Sequence, residues 1–225
     1  MKSRQLAEIW DGESHKYTNN PLDSWPFESS WLPKADETVL DAGCGGGTFL
    51  KIFSQFTSKC QGIDISEKMV EASQRYAPAD LGSVVDLPYP SGKFDYVFSG
   101  LVLSHCGAPW KGLSELSRVC REGGRVVVTL PNRYSFLSAL RNISLWTGNY
   151  GLGQCYHFRP GQMKARAEDF GLNASHIEIW NRAPENRNSF RQGVSFLAYG
   201  ADELLHRIAP QIWGDVLMVG FHKVG

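Results

Sequence analysis

Asp41 closes an apolar run and opens a turn built almost wholly of small residues, VLDAGCGGGTFL over 39–50. Gly43, Gly45 and Gly47 follow it at alternate positions. Glycine tolerates positive φ and lets backbone come close to a ligand, so such a turn between strand and helix is a backbone-lined cradle. The G-x-G-x-x-G spacing of a dinucleotide turn is absent, because Thr48 or Leu50 stands where its third glycine belongs. A carboxylate inside the turn repels a pyrophosphate and attracts a cation. The pattern suits a positively charged ligand. Asp64 ends the next apolar run about 20 residues after the first glycine, the interval at which a carboxylate grips ribose hydroxyls. Asp86 closes a third run, SVVD over 83–86, where a carboxylate can accept from an adenine amino group. One strand-terminal aspartate is commonly a cap or turn former. Three on successive strand ends point to a shared ligand.

The elements that must hold these residues alternate along the chain. TVLDAG (38–43), KCQGIDI (59–65), SVVD (83–86), FDYVFSG (94–100) and RVVVTLPN (125–132) read as strands. Between them lie FLKIFSQF (49–56) at helical period, SEKMVEASQRYA (66–77) with Ser66 at an N-cap position, and GLSELSRVCREGG (112–124), a helix with stop glycines. Strands separated by helices imply right-handed crossovers and a mainly parallel sheet. SHIEIW (175–180) and DVLMVGFHKV (215–224) supply two further strands, and RAPENRNSFRQG (182–193) reads as an exposed loop. Residues 1–36, rich in Trp and Pro, form a helical and irregular leader ahead of the domain at 37–225.

Composition narrows the class. The 225 residues suit one domain with a sizeable core, and 42% hydrophobic with 20% charged residues is ordinary for a globular protein. Lys+Arg and Asp+Glu balance at 23 each, which removes the electrostatic footprint of a dedicated nucleic-acid binder. Five cysteines, none at C-x-x-C spacing, give neither a metal ribbon nor a disulfide framework, and no metal site is expected. Reduced thiols, no signal-peptide core and no apolar run of membrane-spanning length lead to the expectation of a cytoplasmic protein without stable membrane insertion.

Four segments together resemble the class I S-adenosylmethionine-dependent methyltransferases: VLDAGCGGGTF, GIDISEKMVEAS, DLPYPSGKFDYVFSG and LSELSRVCREGGRVVVTLPN. The likeness covers roughly residues 37–132, with Arg121-Glu122 where the family usually writes Lys-Pro. It implies an α/β fold: a doubly wound, Rossmann-like, seven-stranded, mostly parallel sheet whose last strand is antiparallel. It also implies S-adenosyl-L-methionine as cofactor. Asp41, Gly43, Cys44, Gly45 and Gly47 would contact the methionine end and Asp64 the ribose. Ile65 and Met69 would flank the adenine, Asp86 with Leu87 its rim, while Gly100 and Leu101 would lie under the sulfonium. Trp10 and Tyr17 resemble the lid that such leaders form.

The implied activity is methyl transfer to a small-molecule acceptor, at oxygen in the first reading. Nitrogen or carbon acceptors, and a non-catalytic cofactor-binding scaffold, are the alternatives. A sulfonium methyl leaves without acid assistance, so the protein must align the reactants and exclude water. A base is needed only where the acceptor loses a proton. His105 is the first candidate and His157, in CYHFRP, the second; a packing or helix-start role is the competing reading of each. The acceptor pocket should draw on the leader and an insertion at about 133–166, where Phe136, Leu137, Leu140, Ile143 and Trp146 fall near helical spacing. Its aromatic residues suggest an aromatic or lipid-like acceptor.

Overall fold

The computed structural model describes residues 3–14, 26–135, 155–180, 200–209 and 214–225. Seven strands form one sheet: β1 (Val39–Ala42), β2 (Cys60–Asp64), β3 (Ala79–Leu81), β4 (Phe94–Gly100), β5 (Cys120–Pro131), β6 (Leu172–Trp180) and β7 (Val216–Lys223). Their order is β3-β2-β1-β4-β5-β7-β6. The first five pair in parallel, and β7 runs antiparallel to both β5 and β6. The expected seven-stranded, mostly parallel sheet with an antiparallel last strand is the observed one. Helices α1 (Ser3–Glu13), α2 (Thr48–Phe53), α3 (Glu67–Ser73), α4 (Pro109–Val119) and α5 (Pro160–Glu168) accompany it.

Strict alternation along the central strands divides the core between the two faces of the sheet. Leu40, Val97, Val126 and Val128 pack with Leu113, Leu116 and Met163 of α4 and α5. Val39, Tyr96, Phe98 and Val127 pack with Leu50 and Phe53 of α2 and with Trp31 of the leader. Both faces are covered, so β1 is buried at every position and reads as a continuous apolar run apart from Asp41. The strand order reverses between β1 and β4. In an open α/β sheet ligands bind outside the carboxyl ends at such a point. The glycine turn lies there.

Two expected elements differ. SVVD is not a strand: Asp86 N–H donates to the Ser83 carbonyl at 3.0 Å, closing a turn, and the third strand is the three-residue segment before it. The helix at 112–124 stops at Val119, and Cys120–Gly124 begin β5 instead. The two glycines serve the irregular register between β4 and β5 rather than a helix cap. A Cβ on Gly124 would lie 2.8 Å from the Asp95 carbonyl oxygen, so only glycine lets the two backbones approach there.

The leader is fastened to the sheet. Arg125 of β5 donates to the Ser30 and Leu32 carbonyls at 3.3 and 3.2 Å and pairs with Glu37 at 2.6 Å. Tyr96 Oη donates to the Trp31 carbonyl at 2.8 Å, and the Trp31 ring lies over Gly220 of β7. Tyr17, most of the 133–166 insertion and the 182–193 loop fall outside the described residues.

Candidate functional site

The glycine turn is held from beneath by β2. Gly43 and Cys44 N–H both donate to the Ile63 carbonyl, at 2.7 and 3.0 Å. Gly43 has φ +83°, and a Cβ there would lie 2.2 Å from a Val102 methyl. No other residue type meets both demands. Nothing approaches Gly45 within 4 Å on its side-chain side, so the turn presents bare backbone to open space.

Asp41 is 1% exposed, and among the described residues neither carboxylate oxygen has a hydrogen-bond partner. Burial, and then the charge of Asp64, push its carboxyl well above the ordinary range. A buried acceptor pair without donors is a costly arrangement unless a cationic or donor group completes it. Asp64 is anchored: Oδ2 accepts from Gly45 N–H at 2.9 Å and Oδ1 from Ser66 N–H at 3.0 Å. A carboxylate has about four acceptor positions, so a vicinal diol can still be bound by its remaining lone pairs. Burial raises the Asp64 carboxyl and those backbone bonds oppose the rise.

Cys44 lines the same turn with its sulfur 3.6 Å from Ser73 Oγ. Burial, with Asp41 and Asp64 nearby, raises its thiol well above the usual range, so it contributes surface and not nucleophilicity. Ile65 is half-buried and Met69 buried, at the start of α3. Ser66 caps that helix as expected, accepting from Met69 N–H at 3.2 Å.

The leader helix crosses the carboxyl edge of the sheet. The Asp11 carboxylate accepts from Ser66 Oγ, and Lys68 Nζ donates to the Asp11 carbonyl at 3.4 Å. The neighbouring Trp10 ring meets His105 edge-on at 5.5 Å between centroids. Two consecutive residues of α1 thus touch the segments following β2 and β4. Sequence reasoning placed Trp10 in a lid and missed Asp11, whose partner lies 55 positions away.

Asp86 and Leu87 do not stand at a strand end. Asp86 is exposed on the turn, and Leu87 is buried with its N–H donating to Glu115 at 2.8 Å. Arg118 grips the Leu87 and Tyr89 carbonyls at 2.9 and 2.7 Å, so this stretch is clamped to α4. The residues just past β3 are Gly82, Ser83 and Val84, with Gly82 N–H donating to the Asp64 carbonyl at 2.8 Å. These were missed because ADL is too short and too polar to announce a strand. Gly100 ends β4, and Leu101 follows it with φ +61°.

His105 is half-buried after β4. His157 lines a separate depression of about 490 Å³ between the starts of α4 and α5, with Trp110, Lys111, Tyr156, Phe158 and Gln162.

Residues 40–128 match the family described as a methyltransferase domain. That match takes in the glycine turn, Asp41 and Asp64. The chain is 34% identical over 105 residues to ajmaline N-methyltransferase of Rauvolfia serpentina, covering 42% of this chain and 36% of that one. It is 34% identical over 154 residues to malonyl-[acyl-carrier protein] O-methyltransferase of Buchnera aphidicola, 64% of this chain and 62% of the relative. The chain thus spans less than two thirds of these relatives. Geranyl diphosphate C-methyltransferase of Streptomyces coelicolor, solved with Mg2+, geranyl diphosphate and S-adenosyl-L-homocysteine, superposes with TM-score 0.68 at 15% identity, over 99% of this chain and 97% of that one. That last likeness is one of fold.

S-adenosylmethionine is the cofactor that the sequence resemblance implies, and the residues around the glycine turn have groups that fit it. Asp41, without a donor among the described residues, suits the cationic methionine end, the bare turn at Gly45 admits backbone contact, and Asp64 has acceptor positions for the ribose. Among the described residues no helix is long and apolar enough to cross a membrane.

Proposed function

We propose that this protein transfers the methyl group of S-adenosylmethionine to an oxygen atom of a small-molecule acceptor. The observation that carries the reading is the buried Asp41 carboxylate, without a hydrogen-bond donor among the described residues and set behind a turn of bare backbone.

The bound cofactor would supply an already activated methyl on a sulfonium. The chain's part is to bind, orient and keep water out, which is where positioning lowers a barrier. Asp41 and the turn hold the methionine end, with Gly43, Cys44, Gly45 and Gly47 as its lining. Asp64 holds the ribose, while Ile65 and Met69 flank the adenine. Gly82–Val84, adjoining Asp64 at the end of β3, replace Asp86 and Leu87 as the adenine rim. Gly100 and Leu101 face the reacting end. Trp10 closes over it from α1.

His105 beside Trp10 is the group proposed to take the acceptor's proton, which favours a hydroxyl over an acceptor needing no base. His157, in its aromatic depression, is assigned to binding the far part of the acceptor. The relatives' names span nitrogen, oxygen and carbon transfer, so the atom must be tested directly.

Calorimetry tests the reading. S-adenosylhomocysteine should bind and NAD should not. Methyl from labelled cofactor should then appear in a member of a panel of phenols, quinones and sugars, with His105→Ala slowing the hydroxyl acceptors at least tenfold. NAD binding in place of S-adenosylhomocysteine would overturn the assignment. Binding without transfer to any member would leave a cofactor-binding scaffold.

A further inference from the structure

Eight glycines among the described residues adopt positive φ, as is usual where the backbone turns left-handed. Leu101 does so at φ +61° with a branched, half-buried side chain, a conformation that L-residues of this kind avoid. If residue 101 merely linked β4 to the next segment, glycine would do so without strain. Strain kept at a cleft by surrounding contacts is a reason to look for what those contacts achieve.

Both backbone groups of Leu101 are held. Its N–H donates to the Thr129 carbonyl at 2.9 Å, and its carbonyl accepts from Ser104 Oγ at 2.6 Å. Ser104 is fully buried, and its own carbonyl accepts from Tyr156 N–H at 2.8 Å. The left-handed turn reverses the chain so that Val102 fills the space where Gly43 has no side chain. The Leu101 side chain meanwhile packs against the buried cluster on the α2 side of the sheet that holds Leu50, Phe53 and Phe98. The Ser104 hydroxyl, together with the His105 N–H that donates to the Val102 carbonyl at 2.9 Å, thus closes the turn that seats Val102 over Gly43.

We infer that Ser104 is a positioning residue: by holding the Leu101 carbonyl it keeps Leu101 left-handed and Val102 seated on Gly43, fixing the wall at the methyl-donor end of the cleft. This rests on the cofactor reading of the glycine turn. It adds a residue that does not touch the cofactor yet sets the shape it meets, and it links that wall to Tyr156 on the acceptor side.

The test uses S-adenosylhomocysteine as probe in calorimetry, together with thermal unfolding of the ligand-free protein. Ser104→Ala should weaken binding about tenfold, the loss expected for one hydrogen bond that holds a binding wall. Ser104→Cys, a weaker donor of similar size, should lose roughly threefold. In a Leu101→Gly background, where the turn no longer needs holding, Ser104→Ala should cost less than about twofold, because the two effects are coupled. Leu101→Gly should unfold a few degrees above Leu101→Ala, the reverse of their order at an ordinary site.

Equal losses for Ser104→Ala in both backgrounds, or none in either, would overturn the inference. So would Leu101→Ala unfolding above Leu101→Gly. Should Ser104→Ala fail to fold, Ser104→Cys and the Leu101 pair still decide. Absence of S-adenosylhomocysteine binding by the unaltered protein would defeat the cofactor reading instead, and the unfolding order of the Leu101 pair would still decide whether the left-handed turn is strained.

Discussion

Asp41 is held at a cost to the fold. The unfolded chain solvates this carboxyl, whereas the native one buries it beside Asp64 and supplies no donor among the described residues. Its folded pKa is raised, so its contribution to stability is fully present below the unfolded value of 3.8 and is lost as pH rises through the folded one. Asp41→Asn should therefore stabilise the ligand-free protein near pH 7, by roughly 1–2 kcal/mol in denaturant unfolding. The gain should vanish in acid. The same substitution should weaken S-adenosylhomocysteine binding by about 2 kcal/mol or more, since a cation's partner is gone. Binding to the unaltered protein should also weaken as pH falls through the raised pKa, because the ligand's ammonium group needs Asp41 ionised; Asp41→Asn should lose that dependence. A variant no more stable than the parent would mean that Asp41 has a donor in the native state. Asp41 and Asp64 were legible in the sequence because a charge among apolar and small residues must have a reason. Asp86 met the same criterion and misled, since an exposed turn suits an aspartate equally well.

The leader helix ends in acids. Asp11 and Glu13 lie in its last turn, where the helix dipole disfavours negative charge. Docking resolves the conflict for Asp11, whose carboxylate meets Ser66 Oγ at the start of α3. That contact sits beside Asp64, whose carboxyl is raised further by the nearness of Asp11. Helix α1 is thus latched by one residue next to the proposed ribose site. Asp11→Ala should speed S-adenosylhomocysteine dissociation about tenfold while changing association much less, as expected when one charge-assisted hydrogen bond holds a closed lid. Stopped-flow displacement reads both rates. An unchanged off-rate would show that α1 is not a lid. The latch could not be read from sequence, because it joins segments 55 residues apart with no periodic signal. Elements whose both faces are buried, such as β4 and the second half of β5, were legible as apolar runs. β3 was not: its Leu81 is 52% exposed, and its neighbour Asp80 accepts from Gln61 and Tyr89 at the sheet edge. The misplaced helix end has a similar cause. Gly123 and Gly124 look like a stop signal, yet it is tertiary pairing with β4 that uses them.

Across the whole molecule, the strands carrying Asp41 and Asp64 and the strand that leads into Leu101 are consecutive in the sheet. The opposite end, where β7 pairs along its length with both β5 and β6, carries none of the proposed cofactor residues. Ligand binding should therefore stabilise the fold globally while ordering it locally. At S-adenosylhomocysteine near 100 times its dissociation constant, linkage adds about 2.7 kcal/mol, or roughly 5–11 °C in midpoint for a chain of this size. NAD at the same concentration should shift the midpoint by less than about 1 °C, because a ligand without affinity contributes nothing. Amide exchange distinguishes a site from unspecific stabilisation. Protection should rise most at α1, at the 43–47 turn and at the segment following β4, which line the proposed site. At β5 and β7 exchange already requires global opening, so protection there should grow only by the global increment. A midpoint shift with protection confined to the β6–β7 edge would place the ligand away from Asp41, and the cationic reading of the turn would fall with it.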